Sequence, residues 1–262
     1  MKPSERTFYE LIRAGEPCRF YLDLEFCKVL NPDVVGESHM VAVRQYIKDL
    51  FLNKLGIVLE LYKLSYRDTG DPLGGTMIEL DATNDVKFSR HLIVNLQSRC
   101  LFRNTDYVKE FATLLHDKLY TNNYRITKLV ASQRQLSTLV DISVYTNNRN
   151  FRIVLSSKFK DRGNRPLQLY IPLAPVIIPH QDLTYDIFRK TLIACNGIKD
   201  WNLLAWPDKQ VPRKRRRLNL RKAGQPLRRP ECHVVPRNVV AVPLPNLNAV
   251  GKVPNFSNEA VP

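Results

Sequence analysis

The sequence predicts an α+β fold in which helices cover one face of a sheet. Two segments repeat apolar residues at helical spacing, and six other runs have the composition and alternation typical of strands. The later runs follow one another as hairpin-like neighbours, which favours segregated strands and helices over a regular βαβ order. Composition also changes near Trp206, so we expect the folded part to be residues 1–205 and to be followed by a separate tail, residues 206–262.

The helices are predicted from apolar positions that recur every three or four residues. In the first, Val43, Ile47 and Phe51 fall on one face. The predicted helices are Met40–Leu55, which Gly56 ends, Asp106–Leu119, which Asn104 or Thr105 caps, and a weaker Leu183–Cys195.

The strands are predicted from short apolar runs between turn-forming residues. They are Cys18–Phe26, Met77–Leu80, Phe88–Leu96, Leu136–Tyr145, Phe151–Leu155 and Leu167–Ile171. Residues 65–76 and 121–135 are predicted as loops.

The overall composition narrows the class of protein. The 262 residues carry a net charge of +15 and are 44% hydrophobic, which is enough for a core and excludes wholesale disorder. No apolar run reaches about 18 residues, so we expect no membrane span, and no secretory signal is visible. Five scattered cysteines indicate reduced intracellular thiols rather than a disulfide framework. The charge indicates a polyanionic partner such as nucleic acid, although a merely basic soluble protein has the same composition.

The tail differs from the rest of the chain. Residues 206–262 hold nine of the 17 prolines, and 12 basic against three acidic residues, which predicts a disordered basic segment. Its run Arg213–Arg217 is typical of a nuclear-localisation or nucleic-acid patch, and the alternative is a solvated charge run. Cys232 and His233 are too few for a four-ligand zinc site, so we expect no structural zinc.

Three of the predicted strands have one apolar and one polar face, because side chains alternate along a strand. The polar faces carry Asp23 and Glu25, then Lys87, Ser89 and His91, then Asp141 and Ser143. If these strands share one sheet, the face without helices presents three carboxylates beside a lysine, a serine and a histidine.

Carboxylates that lie close together repel one another and are normally held ionised by a divalent cation. Oxygen ligands suit Mg²⁺ or Mn²⁺, and two such ions assist phosphoryl displacement. The hypothesis is therefore a metal site on Asp23, Glu25 and Asp141. The alternatives are a solvated strand face for the Asp-x-Glu pair and a structural role for His91. After Asp141, the polar and aromatic side chains of Tyr145–Arg152 suit phosphates and bases, or else a polar hairpin turn.

Three segments in order resemble the catalytic motifs of the archaeo-eukaryotic primase superfamily. They are Gly15–Phe26, Lys87–Ile93 and Val140–Arg152, and the resemblance covers about residues 14–200. It implies an RRM-like catalytic core whose open sheet face carries the site. It also implies that the helical module before the first motif is mostly absent, since about 20 residues precede Asp23, and that the zinc-binding module is missing, as in a truncated or variant chain.

The resemblance also implies roles for particular residues. Asp23, Glu25 and Asp141 match the ligands of catalytic Mn²⁺ or Mg²⁺. Nucleotide contacts are implied for Lys87, Ser89, His91, Arg152 and Lys158, and template-primer contacts for Arg149 and Asn150.

The function expected from these observations is template-directed DNA priming or polymerisation in replication restart and damage tolerance. Expected partners are single-stranded DNA template and primer, nucleoside triphosphates and replication proteins, with the chain a monomer. The basic tail favours the nucleus, and a mitochondrial location stays open. The alternatives are a non-catalytic remnant that binds single-stranded nucleic acid and a metal-dependent nuclease.

Overall fold

The computed structural model describes residues 6–62, 74–158, 166–173, 175–179, 182–195 and 201–204. Within these residues the chain forms helices and strands in a mixed order. They are β1 Tyr9–Ile12, β2 Phe20–Cys27, α1 Gly36–Leu55, β3 Val58–Leu61, β4 Gly74–Asp81, β5 Lys87–Leu96, β6 Cys100–Leu101, α2 Thr105–Thr121, β7 Ile126–Val130, β8 Gln133–Ser137, β9 Arg149–Arg152, β10 Gln168–Ile171, β11 Val176–Ile177, α3 Tyr185–Lys190 and β12 Asn202–Leu203.

A six-stranded sheet forms the centre of the described part. Its strand order is β11-β10-β4-β5-β2, and β3 pairs in parallel with the first half of β4. The other neighbours in this sheet are antiparallel. The sheet and helices confirm the predicted α+β class. No helix among the described residues is both long enough and apolar enough to cross a membrane.

Helices α1 and α2 pack together and lie against one face of this sheet. Phe20, Leu22 and Leu24 point to that face and are fully buried, because alternate residues of β2 share a side. The rings of Phe20, Phe51 and Phe111 join the three elements in edge-on contacts of 4.9–5.5 Å between centroids. The apolar half of each amphipathic element therefore forms the core.

Both long helices are confirmed, with shifted ends. Helix α1 begins at Gly36, four residues before the predicted start, because its first turn is polar and lies outside the apolar repeat. It ends as predicted at Gly56, whose φ of 67° is the left-handed conformation that glycine adopts readily. Asn104 rather than Thr105 caps α2, since its side chain accepts hydrogen bonds from the amides of Asp106 and Tyr107.

Several predicted elements are wrong. The run Leu136–Tyr145 is not one strand: β8 ends at Ser137, and residues 142–144 form a 3₁₀ turn because the Asp141 side chain accepts from the Ser143 amide. The predicted loop 121–135 contains the hairpin β7–β8 instead. The weak helix Leu183–Cys195 shortens to α3, which Thr184 caps. Residues 74–76 of the predicted loop 65–76 belong instead to β4, which starts at Gly74.

One further strand prediction is shifted, and two strands of the structure have no counterpart in the predictions. The predicted strand Phe151–Leu155 is shifted, because the paired residues of β9 are Arg149–Arg152. Strands β1 and β3 were not expected. Residues 63–73, the tail 206–262 and its Cys232 and His233 lie outside the described residues.

The second face of the sheet is covered in part by the two-stranded ribbon of β1 and β9. Phe151 of this ribbon lies 5.1 Å from Tyr21 of β2, ring to ring. Glu10 fixes the ribbon to the end of the described core, because its carboxylate accepts from the amides of Ile193 and Ala194 at 2.7–3.0 Å. The ribbon thus stands over the face that carries Asp23 and Glu25.

Glu10 gives the fold a pH dependence. Burial is the largest influence and raises the pKa of Glu10 to about 7, above the 4.5 of an ordinary glutamate. The folded state therefore binds a proton that the unfolded state has released, and stability falls as the pH rises from about 4.5 through 7. We expect urea unfolding to show that wild type loses stability relative to Glu10→Gln over this range. The exposed control Glu16→Gln should follow wild type, and parallel curves for wild type and Glu10→Gln would contradict the prediction.

Candidate active site

The register of two strands brings the first two motifs together. Strand β2 pairs antiparallel with β5 so that Asp23 lies opposite His91 and Glu25 lies opposite Ser89. Directly opposed residues point to the same side of a sheet, so these four side chains share the face away from α1 and α2. The Lys87 ammonium group lies on the same side and forms an ion pair with the Glu25 carboxylate.

Asp141 reaches this face without belonging to a regular strand. Leu24 and Val140 form an isolated antiparallel bridge. On either side of it, the Glu25 amide donates to the Leu139 carbonyl at 2.8 Å, and the Asp141 amide donates to the Asp23 carbonyl at 2.9 Å. The backbone of the third motif is thus fixed against β2 at the level of its two carboxylates.

A cavity of about 230 Å³ opens on this face, and residues of the β1–β9 ribbon form part of its lining. Eight of the ten residues singled out in the sequence line it: Asp23, Glu25, Ser89, His91, Arg149, Asn150, Arg152 and Lys158. The other two lie beside it, since Lys87 pairs with Glu25 and Asp141 is fixed next to Asp23. Segments far apart in the chain therefore contribute to one cavity.

The electrostatics of the cavity depend on how deeply its groups are buried. Burial, followed by the Glu25 and Asp141 carboxylates, raises the pKa of Asp23 to about 7. Burial, followed by the positive charges of Arg152 and Lys158, holds the pKa of His91 well below its usual range, so the imidazole is neutral. His91 Nε2 lies 3.8 Å from Asp23 Oδ1, which is too far for a hydrogen bond.

Some buried polar atoms of the cavity lack hydrogen-bond partners among the described residues. They include Asp23 Oδ1, His91 Nδ1 and Arg149 Nε. Such atoms are rare and call for a ligand, an ion or ordered water. A carboxylate oxygen without a donor suits a cation, and an unpartnered guanidinium nitrogen suits an anion. The two walls of the cavity therefore suit opposite charges.

The donor chemistry of the acidic wall fits a hard divalent cation, because its ligands are carboxylate oxygens. Within the described ranges, however, no three acidic, histidine or cysteine side chains are arranged to hold a metal ion as they stand. The ion pair with Lys87 gives one physical reason, since it holds the Glu25 carboxylate to an ammonium group. A metal ligated by Glu25 would therefore compete with the Lys87 ammonium group for this carboxylate.

Aromatic rings pack around the residues that line the cavity. The Phe151 ring lies 4.4 Å from the His91 ring, and the Tyr21 ring lies 5.0 Å from the Tyr145 ring. The buried Tyr145 hydroxyl donates to the Tyr21 carbonyl at 2.6 Å. These contacts fix the orientation of His91 and tie the segment after Asp141 to β2.

Sequence reasoning missed Tyr9, which lines the cavity, and gave Phe151 no role of its own within the run Tyr145–Arg152. Tyr9 lies in β1, opposite Arg152 of β9, so it reaches the cavity only through a pairing between distant segments. The aromatic and aliphatic residues around positions 7–12 are the local signal from which a strand could be predicted here.

Comparison with known proteins shows which proteins this chain is similar to. The chain is similar to curated vertebrate primase/polymerases, and no family model matches it. In particular, it is 30% identical over 184 residues to the DNA-directed primase/polymerase protein of Danio rerio. That alignment covers 57% of this chain and 32% of the Danio rerio protein.

Two further relatives have the same name. The Gallus gallus protein is 37% identical over 112 residues, 42% of this chain and 17% of its own length. The Homo sapiens protein is 24% identical over 216 residues, 59% of this chain and 36% of its own length. The chain therefore spans about a third or less of the length of these relatives.

Proposed function

We propose that this chain is the catalytic core of a template-directed DNA primase/polymerase, a nucleotidyltransferase with an RRM-like sheet. The observation that carries the proposal is the cavity in which carboxylates from one strand face basic side chains from another segment. Nucleotidyl transfer needs that combination, because a polyphosphate has to be held beside a site that activates a hydroxyl group.

The acidic wall is proposed to hold the metals. Asp23, Glu25 and Asp141 would ligate Mn²⁺ or Mg²⁺, with Asp23 Oδ1 as the buried oxygen that already lacks a donor. Bound there, divalent ions stabilise the charge that develops on the attacking and leaving oxygens of phosphoryl transfer. Lys87 keeps the charge of Glu25 balanced until then.

The basic wall is proposed to hold the triphosphate. Arg152 and Lys158 offer permanent positive charge, and Ser89 lines the same cavity. Since the depressed pKa keeps His91 neutral, it offers one N–H and adds no charge to the site. A neutral donor orients a phosphate oxygen without competing with the cations for Asp23.

The template and primer are proposed to enter past Arg149 and Asn150, which alternate across β9 at the edge of the cavity. The substrates would be single-stranded DNA, a primer 3′-hydroxyl and nucleoside triphosphates. We propose roles in replication restart and damage tolerance, in the nucleus or the mitochondrion, alongside replication proteins and as a monomer.

Primer extension tests the proposal against its alternatives. Wild type and Asp23→Ala/Glu25→Ala are incubated with a labelled primer on a longer template, Mn²⁺ and nucleoside triphosphates. Extension by wild type alone is the expected result. Shortened or nicked strands without added triphosphates would instead identify a nuclease. Strand binding without extension would identify a non-catalytic nucleic-acid-binding protein.

A further inference from the structure

The hairpin of β7 and β8 extends from the fold beside the candidate active site. We call residues 126–137 the arm. Its strands pair from Ile126 with Ser137 to Val130 with Gln133, and Ala131 and Ser132 form the turn with φ values of 47° and 66°. Two left-handed residues in a row are typical of a tight hairpin turn, so the arm is a regular two-stranded ribbon.

The base of the arm is fixed to the core. Asn31, in the loop after β2, donates from its side chain to the Thr127 carbonyl at 3.0 Å and accepts from the Thr127 amide at 2.6 Å. Ile126 is buried in the core. An isolated two-stranded hairpin is marginally stable in water, so this attachment gives the arm a defined direction.

One face of the arm exposes apolar side chains. Leu129 and Leu136 are 56% and 59% exposed, and the strand register puts both on the same side as Arg134. Lys128 lies at the back of the ribbon, opposite Gln135. An exposed pair of leucines around a guanidinium group indicates a surface that contacts a partner.

Charge decides the kind of partner. From Lys118 to Val140 the sequence contains no Asp or Glu, and it contains four basic residues: Lys118, Arg125, Lys128 and Arg134. Lys118 and Arg125 lie over the rings of Tyr46 and Tyr120, which leaves Lys128 and Arg134 as the cations of the arm itself. A wholly cationic ribbon favours a polyanion over an ordinary protein surface.

The arm is also close to the proposed chemistry. Asp141 follows Ser137 by four positions, which limits the distance between them to about 14 Å. Within that stretch Leu139 accepts from the Glu25 amide. The base of the arm therefore lies near the carboxylates of the cavity.

We propose that the arm is a nucleic-acid contact, on which the strand bound at the cavity lies with phosphates on Arg134 and sugars or bases on Leu129 and Leu136, while Lys128 on the other face adds positive charge to the ribbon. The proposal rests on the proposed function, because that function supplies the strand. A two-stranded ribbon is narrow enough to follow a nucleic-acid groove or a single strand.

The test compares two variants of the full chain that have lost the same charge. Lys128→Gln/Arg134→Gln alters the arm, and Lys54→Gln/Lys109→Gln alters exposed positions on the helices of the opposite layer. Binding to a fluorescent single-stranded oligonucleotide and to a primer-template duplex is measured by anisotropy over a range of salt concentrations, without metal or nucleotide. Wild type and both variants share the net charge of +9 in residues 206–262. A difference in affinity between the two variants therefore measures the contribution of the arm.

We expect the arm variant to bind at least one of the two ligands about tenfold more weakly than the control variant, with a smaller salt dependence. Hydrogen exchange of residues 128–136 in wild type should also slow when that ligand is added. Equal binding by both variants and unchanged exchange would overturn the proposal and leave the exposed leucines to a protein partner. No chemistry occurs in this binding assay. An arm variant that binds DNA normally and also extends primers would therefore refute the proposed role of the arm and leave the proposed function intact. A wild type that binds through the arm but does not extend refutes the proposed function alone.

Discussion

Replacing Asp23 with Asn is expected to lower nucleotide incorporation at least about 1,000-fold, since the amide keeps the shape of the side chain but cannot supply the negative charge that a metal requires. The substitution should not lower the free energy of unfolding. Asp23 lies beside the carboxylates of Glu25 and Asp141, and burial and this repulsion both raise its pKa. Removing the charge therefore leaves stability equal or higher, so lost activity cannot be attributed to unfolding.

The measurement is primer extension with Mn²⁺, together with urea unfolding of the same preparations. Asp33→Asn is the matched control, because Asp33 is an exposed aspartate in the loop after β2. It should extend primers like wild type. Activity of Asp23→Asn within about threefold of wild type would show that this carboxylate takes no part in the chemistry.

Replacing Glu79 with Gln is expected to lower the free energy of unfolding by about 3–5 kcal/mol. The Glu79 side chain is fully buried on the helix side of the sheet. It accepts from Arg44 Nε at 2.6 Å, from Arg44 Nη2 at 3.0 Å and from Arg90 Nη1 at 3.0 Å. The substitution leaves two buried guanidinium groups with fewer negative partners, Asp81 and the half-exposed Glu37.

Urea unfolding measures this effect. Glu60→Gln, at an exposed position of β3, is the control and should unfold like wild type. The combination of Glu79→Leu with Arg44→Met should cost less than Glu79→Gln alone, because it removes a charge from each side of the pair. A loss below about 1 kcal/mol for Glu79→Gln would mean that water or a rearranged side chain compensates both arginines.

Sequence patterns predict the central strands of the site well. In β2 the apolar residues Leu22, Leu24 and Phe26 alternate with Asp23 and Glu25, and the structure buries the apolar ones against the helices. Since one face is buried, a shift of register by one residue would expose every apolar side chain. That constraint makes the face of Asp23 and Glu25 readable from the sequence.

Other parts of the site depend on contacts between distant segments. Strand β1 is short, and its partner β9 lies 140 residues further along the chain, so Tyr9 gives no local sign that it lines a cavity. The alternation of its neighbours predicts a strand at Asp141, yet the Asp141 side chain accepts a hydrogen bond from the Ser143 amide and the chain turns there. Aspartate readily makes this local bond, which competes with strand pairing.

The arm shows a third reason for a wrong prediction. Residues 121–135 are polar, which favours a loop, and only the two left-handed residues Ala131 and Ser132 make a hairpin of them. Neither is a residue typical of such turns. The anchoring hydrogen bonds come from Asn31, about 96 positions earlier in the chain, and local propensity does not register them.

Binding of Mn²⁺ tests the central claim most directly. The electron paramagnetic resonance signal of free Mn²⁺ is followed as wild type, Asp23→Asn, Asp141→Asn and the control Asp33→Asn are added. If the three carboxylates form a metal site, wild type and Asp33→Asn will remove free Mn²⁺ from solution, and the other two variants will do so at least about tenfold more weakly. Equal binding by all four proteins would contradict the assignment of Asp23 and Asp141 as metal ligands.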